Sequence, residues 1–503
     1  MNSKTRYRIY EIIPGALIWL TFVVSILLSF IKPIWVIYFI IVFDLYWFLR
    51  VLYYVLYVVV SYRKYKGAIE VDWFSVVKKI NDWQKIYHLV VFPTLNEPIE
   101  VLRSTFQNLY DCDYPKDKFI VVLAGEERNK EHFLKVSRII EREFKNKFFK
   151  LLVTVHPDNM EGEMKAKGAN ANYAGKKAKE LIDELEIPYE NIIVSYFDCD
   201  TAAHKKYFSC LAYKYLTSEN PTRNSYQPVV LYNNNIWDAP AAMRVAAFGT
   251  SFWLLSELAR PERLFTFSSH SMSFQALVDV DFWQKDVVSD DSRIFLQCFF
   301  RYHGEYGVVP IYLPVSMDAV MAGNYYRSFK NLYKQQRRCA YGIENFPYML
   351  DRFRKDKLIT FKKKFKYLWN QVEGLYSWAT APILVYILGR LPLYFLNTNE
   401  KNDVLAVNTP YILEKLMQLA MVGLIVSAIV SVLLLPPRPD KHKKSKYLVM
   451  ILQWILSPIT LIFFGSIPSI EAQTRLMCGK YLGFWVTEKS RSFKEVKEYI
   501  NNE

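Results

Sequence analysis

Patterned cysteine is the first thing this chain lacks. It has six cysteines, Cys112, Cys199, Cys210, Cys298, Cys339 and Cys478, and none forms a CxxC pair or carries zinc-type spacing. That argues against a structural zinc site and leaves reduced thiols in a cytosol-facing domain. No small-residue cleavage site follows the first apolar run, which argues against a removed signal peptide. The formal net charge is +15, yet no groove-reading motif accompanies it, so nucleic acid is not an expected partner. Many of the basic residues flank apolar blocks, and an anionic membrane surface suits them better. Ser268-Ser269-His270-Ser271 offers a serine beside a histidine but no third partner, so a loop or acceptor-cleft segment is expected there rather than a serine hydrolase.

What the chain does have is apolar sequence, 52% of 503 residues, gathered at its two ends. Pro14 to Ile31 is one apolar run, Lys32-Pro33 interrupts it, and Ile34 to Val60 follows at once. At about 1.5 Å per residue the second run can cross a hydrocarbon core of about 30 Å. Lys4, Arg6 and Arg8 precede the pair and Arg63, Lys64 and Lys66 follow it, so a hairpin with both ends cytoplasmic is expected. Three more runs, Val372 to Leu396, Tyr411 to Leu435 and Tyr447 to Ile470, lie near the other end. The Asn-rich loop after the first should be external, and the basic loop with Arg438, Lys441, Lys443, Lys444 and Lys446 cytoplasmic. A bend at Pro458 in the third run would keep the basic tail inside. Phe346 to Trp369 mixes basic and aromatic residues, as a helix lying in the membrane interface does. Asp44 and Arg50, inside the second run, should face protein or water, or snorkel to the interface. The expected divisions are a hairpin over 1–66, a globular domain over 67–342, an interfacial segment over 343–371, a membrane cluster over 372–470 and a tail over 471–503.

The middle alternates short apolar runs with helical stretches. Strands are expected at Leu89–Phe92, Phe119–Leu123, Leu151–Val155 and Ile192–Phe197, with helices at Pro98–Leu109, Glu131–Phe144 and Ala166–Leu185. That order predicts an α/β domain with a mostly parallel sheet, whose ligands bind at the carboxyl ends of the strands. Asp198-Cys199-Asp200 follows the fourth strand. Two carboxylates one residue apart there can hold Mg2+ or Mn2+ against a diphosphate, because both ions accept hard oxygen ligands and keep positions open for phosphate. Asp111-Cys112-Asp113 and Asp279-Val280-Asp281 repeat the spacing, but the first follows a helix and precedes Tyr114-Pro115, as a turn does.

Four further elements fall in order around that pair. Pro93-Thr94-Leu95-Asn96-Glu97 follows the first strand, Lys167-Gly168-Ala169-Asn170-Ala171-Asn172 opens a helix, Ser289-Asp290-Asp291 comes later, and Gln335-Gln336-Arg337-Arg338-Cys339 precedes the interfacial stretch. The series resembles the family 2 inverting glycosyltransferases, in particular the membrane-bound branch of cellulose, hyaluronan and poly-N-acetylglucosamine synthases. Each motif is short, and their joint order carries the resemblance. It implies a GT-A-like nucleotide-sugar domain with transmembrane helices at both ends, in a plasma or inner membrane. Pro93, Asn96, Glu97, Lys167, Asn172, Asp198, Asp290, Gln335 and Arg338 would then bind the nucleotide sugar, UDP-linked by analogy. Asp198 and Asp200 would hold the metal, and Asp291 would be the catalytic base. The acceptor would be a glycan or a lipid-linked sugar.

Two departures matter. Cys339 stands where the synthases carry a tryptophan that helps place the acceptor, which weakens a processive, polymer-translocating reading. The second strand ends in Ala124-Gly125-Glu126-Glu127, with either glutamate available to the nucleobase. A catalytically silent membrane scaffold of the same fold is the alternative of a different class.

Overall fold

The structure is a computed structural model that describes residues 2–396 and 404–483. Residues 397–403 of the expected Asn-rich external loop, and the tail beyond 483, lie outside the described residues.

Among the described residues, eight strands form one sheet: β1 (Tyr87–Pro93), β2 (Phe119–Glu126), β3 (Lys150–His156), β4 (Ile192–Tyr196), β5 (Ala202–Ala203), β6 (Asn224–Leu231), β7 (His270–Ser273) and β8 (Gly307–Ser316). Their order is β3-β2-β1-β4-β7-β6-β8-β5. The sheet is mixed. β3, β2, β1 and β4 are parallel neighbours, β7 runs antiparallel to both β4 and β6, β6 and β8 are parallel, and β5 is antiparallel to β8. Both faces are covered. Leu89, Val91, Ile120 and Val122 enter one apolar core, while Val90, Phe92, Val121 and Leu123 enter the other. Burial on both sides is why these strands read as unbroken apolar runs rather than as alternating ones.

The four strands expected from sequence are β1 to β4, and the helices between them are Ile99–Tyr110, Lys130–Phe144 and Lys167–Glu184. The other four strands carry weak signals. β6 and β8 contain Pro228, Pro310 and Pro314, which cannot donate to a ladder, and their pairing shifts register between Pro228 and Val229. β7 is His-Ser-Met-Ser, so the segment expected to be a loop is a buried strand between β4 and β6.

Among the described residues, four helical stretches are long and apolar enough to cross a membrane: Ser3–Ile31, Pro33–Glu70, Val407–Leu433 and Lys446–Met477. The expected run from Val372 is not among them. It belongs to a helix, Phe361–Tyr386, that carries four lysines in its first two turns and Glu373 further on, and a short 3-10 helix, Leu388–Tyr394, follows. The expected interfacial stretch is split between Asn345–Lys355 and the start of Phe361–Tyr386. Phe361, Phe365 and Trp369 stack at four-residue spacing on its exposed side.

Glu373 explains Arg50. The guanidinium of Arg50 pairs with the Glu373 carboxylate and donates to the Tyr46 and Tyr54 hydroxyls at 3.0 and 3.1 Å. Arg50 thus faces protein, and Asp44 is buried too. Arg50→Ala would leave Glu373 charged and enclosed, at an expected cost of about 3–5 kcal/mol. Thermal unfolding of the detergent-solubilised protein checks this, and an unchanged midpoint would show that the pair is not structural.

The Lys446–Met477 stretch is not one straight helix. A 3-10 segment at Gln453–Leu456 and a π turn at Ile462–Ser466 break it, and Pro458 and Pro468 sit in the first turns of the pieces that follow. Both ends touch the α/β domain. Before it, Trp237 donates to the Pro436 carbonyl, and Lys441 and His442 meet Asp238 at 2.9 and 3.0 Å. At its far end, Glu471 accepts from Tyr333 and Arg337 at 2.7 and 2.6 Å, and Leu476 packs in one cluster with Tyr341 and Ile343. Between those ends the stretch stays on the domain, with Arg244 donating to Gln453, Phe252 stacked on Trp454 at 5.7 Å and Phe329 on Phe464 at 5.5 Å. Gly15 allows the first helix to join this assembly, since a Cβ there would lie 2.7 Å from that of Met477.

Candidate active site

The site forms where β1, β2 and β4 end side by side, with Pro93 opposite Ala124 and Val91 opposite Tyr196. Asp198 lies two residues beyond β4. Its Oδ1 accepts from Lys167 Nζ at 3.0 Å, and its Oδ2 from the Ser268 hydroxyl at 2.6 Å. The same ammonium reaches Asp291 Oδ1 at 3.1 Å and Oδ2 at 3.4 Å, and it sits 4.2 Å from the centre of the Tyr196 ring. Lys167 opens its helix, and Asp290 and Asp291 form the first turn of the Asp290–Arg301 helix. Gly168 lets the two helix starts approach, for a Cβ there would stand 3.0 Å from the Cβ of Asp290 and 3.1 Å from the Gln284 carbonyl.

Electrostatics follow from this crowding. Burial acts to lower the Lys167 ammonium, but Asp198, Asp291 and Asp290 outweigh it and hold it well above its usual range. Burial raises the Asp290 carboxyl, opposed chiefly by Lys167, and Tyr196 donates its hydroxyl to Asp290 Oδ2. Asp291 keeps a side chain 24% exposed and Asp198 one 19% exposed, so both remain open to the cleft. Thr266 fixes the backbone beneath by donating to the Asp291 carbonyl at 2.6 Å.

Asp200 has a different setting. It is buried, its Oδ2 accepts the Asp318 backbone N–H at 3.1 Å, and Asn234 bridges the Asp200 carbonyl and the Asp318 carboxylate. Among the described residues no three His, Cys, Asp or Glu side chains converge as a metal cluster. Asp198 and Asp200 are the hard oxygen donors that Mg2+ or Mn2+ would accept.

Glu97 turns inward on its own loop, accepting from the Thr94 hydroxyl and the N–H groups of Leu95 and Asn96 at 2.6, 2.7 and 3.2 Å. It shapes the Pro93–Glu97 turn and leaves Asn96 exposed, with Asn129 donating to it. Asn172 is buried, with its amide spent on the Asp281 and Trp283 carbonyls at 3.2 and 2.7 Å, so it anchors a loop. Neither nucleobase candidate stands alone: Glu126 pairs with Arg128, and Glu127 accepts the Asp158 N–H.

Gln335 and Arg338 lie one turn apart on the Tyr325–Ala340 helix, and so on one face. Glu471 holds that helix through Tyr333 and Arg337. Arg338 is within electrostatic reach of Asp290, and Cys339 of Asp291 and Asp198. Cys339 is solvent-exposed, yet its thiol is raised by surrounding protein, lowered by Arg338 and raised again by the two carboxylates. Both statements hold for a side chain that lines a cleft.

Several participants carry no motif of their own. Ser268 was seen only as part of a serine-rich string. Tyr196, two residues before Asp198, and Asp318, just past β8, gave no signal apart from their places at strand ends.

No family model matches the chain, and no curated protein does. Among solved structures it is similar to the mannosyltransferase PcManGT from Pyrobaculum calidifontis in complex with GDP-Man and Mn2+. The identity is 15% and the TM-score 0.42, over 75% of this chain and 99% of that one. It is also similar to S. aureus TarS 1–349 in complex with UDP-GlcNAc, at 16% identity and a TM-score of 0.34, over 71% of this chain and 95% of that one.

Proposed function

We propose that this chain is a membrane-bound inverting glycosyltransferase of the family 2 kind. It moves a hexosyl or N-acetylhexosaminyl group from a nucleotide sugar, UDP-linked by analogy, to a glycan or lipid-linked acceptor at the cytoplasmic face of the membrane. One observation carries the reading: a single ammonium, Lys167, joins Asp198 and Asp291, which lie 31 and 124 residues away in sequence. Motifs read separately along the chain thus meet in one cleft at strand ends, where ligands of such sheets bind.

In this reading Asp291 takes the proton from the acceptor hydroxyl as that oxygen attacks the anomeric carbon. The bond to the nucleoside diphosphate breaks on the opposite side, so the sugar carbon inverts. Lys167 and Arg338 bring positive charge to the departing diphosphate, and Gln335 offers it an amide donor. A Mg2+ or Mn2+ ion held by Asp198 and Asp200 would neutralise further charge on it. Glu97 positions the turn that carries Asn96 towards the nucleotide. Cys339 lines the cleft without offering an aromatic platform, which favours limited transfer over processive synthesis.

The test is a screen of nucleotide sugars against the detergent-solubilised protein with added Mn2+ or Mg2+, reading nucleoside diphosphate release and the mass of the product. Release from one sugar class is expected, lost on chelation with EDTA and restored by the ion. Absence of release from every donor would sink the reading.

A further inference from the structure

The strand ends place Lys167 and Asp198, but Asp291 sits at the start of a helix whose entry must be held from elsewhere. That hold comes from Glu344. Its Oε1 accepts the Val288 N–H at 3.0 Å, the Ser289 N–H at 2.7 Å and the Ser289 hydroxyl at 2.6 Å. Ser289 is the N-cap residue of the Asp290–Arg301 helix, and its own side chain makes no capping bond to that helix. One carboxylate oxygen therefore gathers the three donors that lead into Asp290 and Asp291.

The surroundings of Glu344 are built for this. Arg293, one turn into the helix, donates to the Glu344 carbonyl at 3.2 Å, to Asn345 Oδ1 at 2.7 Å and to Gln284 Oε1 at 3.0 Å. Its guanidinium lies 4.1 Å from the centre of the Tyr348 ring. Asn345 returns a bond to the Ser292 hydroxyl at 2.8 Å. Burial raises the Glu344 carboxyl, while Arg293 and the donors of Ser289 and Val288 oppose that. The segment that carries Glu344 and Asn345 starts within four residues of Arg338, where the Tyr325–Ala340 helix ends. Tyr7, on the first apolar helix, lies within electrostatic reach of Arg293 and Glu344.

We propose that Glu344 is a positioning residue for the catalytic base: it fixes the entry to the Asp290–Arg301 helix and so sets Asp291 against the helix that carries Gln335 and Arg338. This rests on the glycosyltransferase reading. Glu344 bonds neither Lys167 nor Asp198, so its loss reaches the donor site only through Asp290 and Asp291 and falls first on the base. A displacement of about 1 Å at a reacting group can lower turnover by about 100-fold.

The experiment compares Glu344→Ala and Glu344→Gln with the wild type in three measurements: kcat and KM for the donor, amide hydrogen exchange, and the thermal midpoint. Glu344→Ala should lower kcat by about 10- to 100-fold, with a much smaller change in KM for the donor. The Val288 and Ser289 amides should exchange faster while the β1–β4 amides keep their protection. Glu344→Gln retains an acceptor oxygen and should stay within about threefold of wild-type kcat. Wild-type kcat in Glu344→Ala, or unchanged exchange at Val288 and Ser289, would overturn the proposal. So would a parallel loss of donor KM and of protection across the sheet, which marks a general structural role. If the wild type turns over no nucleotide sugar, the functional reading fails, and the exchange measurement still decides whether Glu344 holds the loop.

Discussion

Asp291→Asn should abolish sugar transfer while leaving donor binding nearly intact. The amide keeps the size of the carboxylate but cannot take a proton at neutral pH, and general-base catalysis contributes about 100- to 10,000-fold. The Asp291 carboxylate is partly exposed to the cleft, as a group that must meet an acceptor has to be. Its backbone is held by Thr266 through the carbonyl, which the substitution does not touch. Lys167 keeps Asp198 as a partner at 3.0 Å, so the donor side retains its arrangement. The measurement is nucleoside diphosphate release beside a donor binding isotherm. Equal turnover in the variant and the wild type would remove Asp291 from the mechanism. Lost turnover together with lost binding would place it in the donor site instead.

The second large effect is expected of Lys167→Met. Its ammonium is the cation that directly bridges Asp198 and Asp291, with Asp290 adding to the same field. Removing it takes away a charge-assisted donor, worth about 1.5–3 kcal/mol, so donor affinity should fall by about 10- to 150-fold. It also leaves negative groups facing one another. Lys167→Arg should restore little, because a planar guanidinium does not fit the place of a compact ammonium between two carboxylates and an aromatic ring. Donor affinity in Lys167→Met equal to that of the wild type, read from a binding isotherm, would remove the ammonium from the donor site.

Legibility in the sequence differed from element to element for physical reasons. β1 to β4 announced themselves because burial on both faces demands unbroken apolar residues, as in Leu89-Val90-Val91-Phe92. β7 could not, since a four-residue strand of His-Ser-Met-Ser is held by its neighbours β4 and β6 rather than by its own apolar content. The same distinction separates the site residues. Asp198 was marked by its place after a strand. Ser268, which donates to it, arrives through the segment leading into β7, and the position of β7 beside β4 depends on the assembled sheet. Glu97 and Asn172 were picked out by motif position, but the structure gives their polar atoms to nearby backbone, a use that spacing alone does not distinguish from a ligand contact.

By itself the sequence determined the order of strands and helices from 87 to 196, the apolar blocks at the two ends, and the acidic and basic motifs between them. Those are properties of local periodicity and composition. The tertiary structure alone decided that β7 lies between β4 and β6, and that Lys167 meets both Asp198 and Asp291. It also decided that the 446–477 stretch lies against the domain along its length, and that Glu344 holds the entry to the Asp291 helix. Each of these is a contact between residues far apart in the chain. Their meeting depends on how whole elements pack, and no window along the chain contains both partners.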